Sequence, residues 1–119
     1  MSATIGGQSD SFVAAGTSGI GANLRVALTA ARKIEPAGTG SAGIGVTVEA
    51  SKDNKTPVEV KLINGGGSML VTAADAFAAG AIVKRAAYGK VSTGGGGADF
   101  GIADGSSTGD GDVVVVYPL

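Results

Sequence analysis

The end of the chain sets a pattern that recurs. Ala98 to Leu119 holds a short apolar segment around Phe100-Gly101-Ile102, a loop of Ser, Thr, Gly and Asp, and then four consecutive valines, Val113 to Val116. Shifted back by 56 positions without a gap, this arrangement falls on Ala42 to Leu62, so that Gly101 lands on Gly45, Ser107 on Ser51, Val114 on Val58 and Val116 on Val60. Upstream, Ala86-Ala87 land on Ala30-Ala31, and Gly94 and Gly96 on Gly38 and Gly40. Self-similarity at a fixed spacing is the mark of a duplicated structural unit. The chain is read as a single β domain over 24–119 with two halves, about 24–64 and 68–119, each running strand, turn, strand, loop, strand.

Within the first half, 24–35 fits two periods. Leu24, Leu28 and Ala31 suit a helical face with Asn23 as its cap, whereas Leu24, Val26, Leu28 and Ala30 suit strand alternation. The repeat favours strand, turn, strand, because the counterpart 80–91 places Ile82-Val83 before a Tyr88-Gly89 turn and a short return strand. Ile44, Val46 and Val48 share one face of the next strand. After a polar loop, 51–57, Val58, Val60 and Leu62 alternate with Glu59 and Lys61, which puts one face in solvent. In the second half 68–72 is a short strand, and 73–79, between Thr72 and Gly80, is the best helix candidate, a turn or two at most.

The closing strand departs from its counterpart. Where the first half alternates apolar and charged residues, Val113 to Val116 is unbroken, so both faces of the strand call for burial. One face can cover the subunit's own core while the other needs a neighbour. Val113, Val114, Val115, Val116 and Tyr117 are therefore candidate residues of a homo-oligomer interface.

Residues 1–23 are mostly Ser, Thr, Ala and Gly with Asp10 as the one charge, and they read as a mobile N-terminal arm without a core of its own. Such a segment either stays unordered or orders on a partner, often as a strand added to a sheet edge.

Composition sharpens this picture. Among the 119 residues, apolar types make up 44% but are largely Ala and Val, aromatics are 4%, and there are 22 Gly. Glycine raises the entropy lost on folding while alanine returns little buried area, so the chain gains from burying further surface against copies of itself or a larger assembly. The formal charge is −1, which gives no basis for a nucleic-acid partner. All bases lie between Arg25 and Lys90; Asp99, Asp104, Asp110 and Asp112 follow and read as solvated turn aspartates. No apolar run approaches the roughly 18 residues of a membrane helix, and the N-terminus lacks the features of a signal peptide. The expectation is a soluble product, made in the cytoplasm or displayed on something assembled there, with no membrane partner.

Candidate chemistry is sparse. With no Cys and no His, thiol chemistry and the commonest general base and transition-metal ligand are missing. Gly16 to Gly21 looks like the glycine turn of short-chain dehydrogenases, yet it has two residues between its first glycines where that motif has three, and no strand precedes it. Gly94 to Phe100 partly fits a calcium-binding nonapeptide, which occurs here once where stacked turns are needed. Asp104, Asp110 and Asp112 miss EF-hand spacing, and Gly89-Lys90 lacks the frame of a P-loop. The chain is expected to have no catalytic residues, no metal and no cofactor, and not to be an enzyme.

The sequence Ala79-Gly80-Ala81-Ile82-Val83, then Tyr88-Gly89-Lys90-Val91, Phe100-Gly101-Ile102-Ala103, a Gly/Asp loop and the closing Val113 to Tyr117 strand resembles the capsid decoration, or head cement, proteins of tailed bacteriophages. The resemblance covers about 24–119. It implies a mainly β, small antiparallel β-barrel or tulip-like domain, commonly trimeric, on the exterior of an expanded icosahedral head. Its partners would be the major capsid protein and its own copies, and its mechanism would be mechanical: binding the assembled lattice stabilises it by mass action, and bridging neighbouring subunits resists internal pressure. On that footing the arm, through Ile5, Phe12, Val13 and Ile20, is the candidate capsid contact. The alternatives are another virion surface module, such as a knob or fibre base, and a carbohydrate-binding β-module, for which Tyr88, Tyr117 and three Phe are a thin aromatic supply.

Overall fold

A computed structural model describes residues 9–63, 67–94 and 96–119. Ten strands follow one another: β1 Ser9–Phe12, β2 Arg25–Leu28, β3 Ile34–Pro36, β4 Gly45–Thr47, β5 Val58–Leu62, β6 Met69–Thr72, β7 Ile82–Arg85, β8 Val91–Ser92, β9 Asp99–Ala103 and β10 Val113–Pro118. They pair, all antiparallel, into two five-stranded sheets of identical plan, β1-β5-β4-β2-β3 and β6-β10-β9-β7-β8. The mainly β fold with two repeated halves is thus what the 56-residue register predicts. The strand, turn, strand assignment of 24–35 also holds.

Each sheet curls on itself. A parallel bridge from Ala14, just past β1, to Ile34 in β3 joins the two outer edges of the first sheet, and Ala73 to Val91 does the same in the second. Edge closure removes unpaired donors and acceptors and encloses a small apolar interior. The first interior holds Ala14, Ile20, Val26, Ile34, Val58 and Val60. The second holds Met69, Val71, Val83, Val91, Phe100, Ala103, Val114 and Val116, with Val46 contributed by the first half. At roughly 1.5–3 kcal/mol for each large apolar side chain buried, these two clusters are the main source of stability.

The duplication extends to details. Gly45 lies opposite Leu62 as Gly101 lies opposite Pro118. Ile20 bridges Ser51 as Phe77 bridges Ser107, and the two serine hydroxyls donate to the carbonyls of Asp53 at 3.2 Å and Gly109 at 3.1 Å.

Three expectations are corrected. Residues 9–23 are no arm: β1 pairs along the whole of β5, Ala14 and Ile20 are core, and this segment is the first half's counterpart of 69–80. Strand addition does take place, onto this chain's own sheet. The first half therefore begins by Ser9, and the boundary at residue 23 does not stand. No helix forms over 73–79 either. The backbone N–H groups of Ala73, Ala74 and Phe77 donate to Asp112, Val91 and Ser107 instead, and a helix of one or two turns gains too little on its own to compete with ladder bonds. A 3-10 turn forms at Ala87–Gly89, inside the predicted 80–91 hairpin. Removing residues 1–23 is expected to abolish cooperative unfolding of the first half, whereas removing 1–8 leaves every described contact in place; thermal melts of the two truncations check this.

The long loops close on aspartates placed at opposite ends. Asp53 accepts from the amides of Lys55 and Thr56, and Asp112 from the amide and hydroxyl of Thr108. These donors hold both carboxyls below the usual 3.8, led by the Lys55 amide for Asp53 and the Thr108 amide for Asp112. A carboxyl depressed in the folded state stabilises above its unfolded pKa and loses that contribution as pH falls through the folded value. Acid titration by NMR should show the Thr56 and Thr108 amide shifts moving with midpoints below 3.8, and Asp53→Asn should remove the first of them.

Candidate interaction surfaces

The halves join asymmetrically, and the asymmetry creates the exposed surfaces. Arg25 and Val46 sit side by side on neighbouring strands of the first sheet. Their side chains point away from the first interior and into the second half. Val46 joins the second core, and the Arg25 guanidinium stands 5.6 Å from the centre of the Phe100 ring. Arg25 is fully buried and donates to the carbonyls of Lys90 (3.0 Å), Ser41 (2.7 Å), Gly38 (3.4 Å) and Ala86 (2.6 Å). It therefore ties the 38–41 loop of the first half to the 86–90 turn of the second. Burial, and then the neighbouring positive Arg85, push its pKa down to about 10, which still leaves it charged at neutral pH. Nothing in the sequence marked it, since a lone Arg in an alternating strand reads as a solvent-facing residue.

Among the described residues, the equivalent outward face of the second sheet is left largely open, bordered by the first half only at the crevice that Leu70 and Val115 share with Val48 and Lys61. Leu70 lies opposite Val115, Tyr117 opposite Ile102, and Ile102 opposite Ile82. These five side chains form one apolar band across four strands, with Leu70 51%, Ile82 51%, Tyr117 50% and Ile102 40% exposed. Cross-strand neighbours on an unpacked face normally alternate with charge, as Glu59 and Lys61 do on β5. Here they do not, and contiguous apolar surface of this kind marks an interaction site.

The closing valines divide between the two faces. Val114 and Val116 fill the second core, so they serve the subunit itself, while Val113, Val115 and Tyr117 face outward. Sequence analysis missed Leu70, Ile82 and Ile102 because each stands in a separate short strand. Only the register between strands brings them together.

A second feature lies at the open end of the first interior, a groove of about 460 Å³ lined by Phe12, Leu28, Gly43, Ile44, Leu62 and Ile63. A crevice of about 220 Å³ between the halves is bordered by Val48, Lys61, Leu70 and Val115 among others. Of the predicted capsid contacts, Ile5 lies outside the described residues. Phe12 packs on the first core and edges the groove, the Val13 carbonyl accepts from Ile34 N at 3.0 Å, and Ile20 is core. The last three are thus built into this chain's own first half.

Among the described residues there is no group of three or more His, Cys, Asp or Glu placed to hold a metal ion, and no helix is long and apolar enough to cross a membrane.

No family model matches the sequence, and no curated protein matches it. Among solved structures, the chain is similar to the crystal structure of the head fiber gp8.5 N base of bacteriophage phi29, with a TM-score of 0.73 and 18% identity over 94% of this chain and 95% of that one. At that identity the likeness is one of fold, and it spans both halves.

Proposed function

We propose that this protein is a structural component of a tailed-phage virion, seated on the outside of the head as a non-enzymatic base or decoration module. The observation that carries this is the shared two-half fold along almost the whole chain with a phage head-fibre base. The exposed apolar band on the second sheet agrees with it, because a module that works by adhesion needs unsatisfied surface. The fibre-base form of the reading draws most support, since the structural neighbour is itself a base. Decoration that bridges capsid subunits, with the major capsid protein and further copies of this chain as partners, is the second form. The two share one mechanism, in which affinity for the assembled lattice and multiplicity of contacts replace chemistry.

The test is rebinding. Heads prepared without this protein are incubated with the purified chain and imaged by electron cryo-microscopy. Density at regular positions on the outer surface, saturating with added protein, is the expected result. Heads that stay bare at saturating protein would overturn the proposal. Counting sites per particle, and asking whether each contacts one or several capsid subunits, separates base from bridge.

A further inference from the structure

The joint between the two halves has a second, unfilled copy. In the joint that is made, Val46 and Arg25 on the outward face of the first sheet cover the second interior at Phe100. The 56-residue register carries Val46 onto Ile102, Arg25 onto Ala81 and Phe100 onto Ile44. Ile102 belongs to the exposed apolar band, and Ile44 lines the groove at the open end of the first interior. Both sides of the same contact are therefore present in one chain and, among the described residues, Ile102 is half-exposed while Ile44, packed on the first core, lines the groove.

We infer that the groove of Phe12, Leu28, Ile44 and Leu62 receives the outward face of the second sheet, centred on Ile102, from another copy of this chain, head to tail. This rests on the self-association contained in the proposed function and assigns its two surfaces. The residues at the joint change as a set. The Arg25–Phe100 pair of the internal joint becomes Ala81 and Ile44 at the external one, so a buried cation and the ring beneath it disappear together. An external joint without that cation needs no carbonyl cage to form, and it is apolar on both sides. Because the two surfaces differ, the contact is heterologous. Repeated, it yields a closed ring if the rotation per copy closes and a filament if it does not.

The natural chain has no cysteine, so introduced thiols report cleanly. Ile44→Cys with Ile102→Cys, treated with a short bismaleimide, is expected to give covalent species larger than dimers. Each single variant alone should give no cross-link, and a mixture of the two singles should give dimers. Cross-linking of Ile102→Cys to itself would show a face-to-face contact and overturn the inference, as would a double variant that stays monomeric. In parallel, Ile102→Asp should sediment as a monomer with an unchanged circular dichroism spectrum where the natural chain sediments as an oligomer; equal masses for the two would also overturn it. Rebinding of the natural chain to heads is scored separately. Bare heads with a positive cross-link count against the virion role alone, and decorated heads with no cross-link count against this joint alone.

Discussion

Replacing Arg25 with Met lowers the free energy of unfolding by about 3–5 kcal/mol, the size expected when several buried carbonyl acceptors lose a charged donor. For a domain of this size that is a drop of roughly 12–20 °C in melting temperature. Two effects oppose each other here. Desolvating a guanidinium is costly, as its depressed pKa shows, and Met would relieve that cost while keeping most of the stem's packing. Against this, four carbonyl oxygens lose the guanidinium, those of Lys90 and Gly38 keeping only the amides of Ala86 and Ser41, and those of Ala86 and Lys90 lie where the two halves meet. Hydrogen bonds to a charged group are worth about 1.5–3 kcal/mol each, and buried acceptors left bare forfeit more than the average bond supplies. Four bonds outweigh one desolvation, so the sign is destabilising. Arg25→Lys rescues only in part, because one ammonium cannot fork to loops on both sides. Denaturant titration of the three proteins checks the order natural, then Lys, then Met; a Met variant as stable as the natural chain would show that the halves hold together without the carbonyl cage.

Gly45→Ala and Gly101→Ala each cost at least about 3 kcal/mol, by a different route. A Cβ at Gly45 would stand 2.2 Å from the Lys61 carbonyl oxygen, and one at Gly101 would stand 2.5 Å from that of Tyr117. Both obstacles are backbone atoms of the paired strand, so relief requires prising β4 from β5, or β9 from β10, and losing ladder bonds. The repeat explains why the two glycines coincide: each sits where the neighbouring strand crosses most closely, once in each half. Gly38→Ala and Gly105→Ala are the controls. Nothing lies within 4 Å of a Cβ at either place, and a loop glycine of ordinary φ changed to Ala is neutral or stabilising by about 0.4–1 kcal/mol. Chemical denaturation of all four variants should separate them into two groups.

The duplication was legible because strands of the same role carry the same residues at one offset, and the register fixed β2 to β5 and β7 to β10 without any contact being known. Continued toward the N-terminus, it would also have placed β1. Residues 68–72 were read as a strand, and their counterpart is 9–13, but the shift there grows from 56 to 59 and the polar Ser9-Asp10-Ser11 hid the pairing. The predicted turn or two of helix over 73–79 failed for a related reason. Thr72 and Gly80 are sound local signals, and the backbone donors between them were claimed by strands distant in sequence.

From residue order alone came the β class, the two-fold repetition, the absence of thiol and imidazole chemistry, and a closing strand apolar on both sides. Each of these depends on local periodicity or on composition, which a linear chain displays openly. Tertiary structure alone decided that Val114 and Val116 belong to the core while Val115 and Tyr117 join Leu70, Ile82 and Ile102 outside, and that Arg25 locks one half to the other. Those facts follow from which strands lie side by side. That choice balances burial over the whole molecule against the entropy of closing long loops, and no window of neighbouring residues carries it.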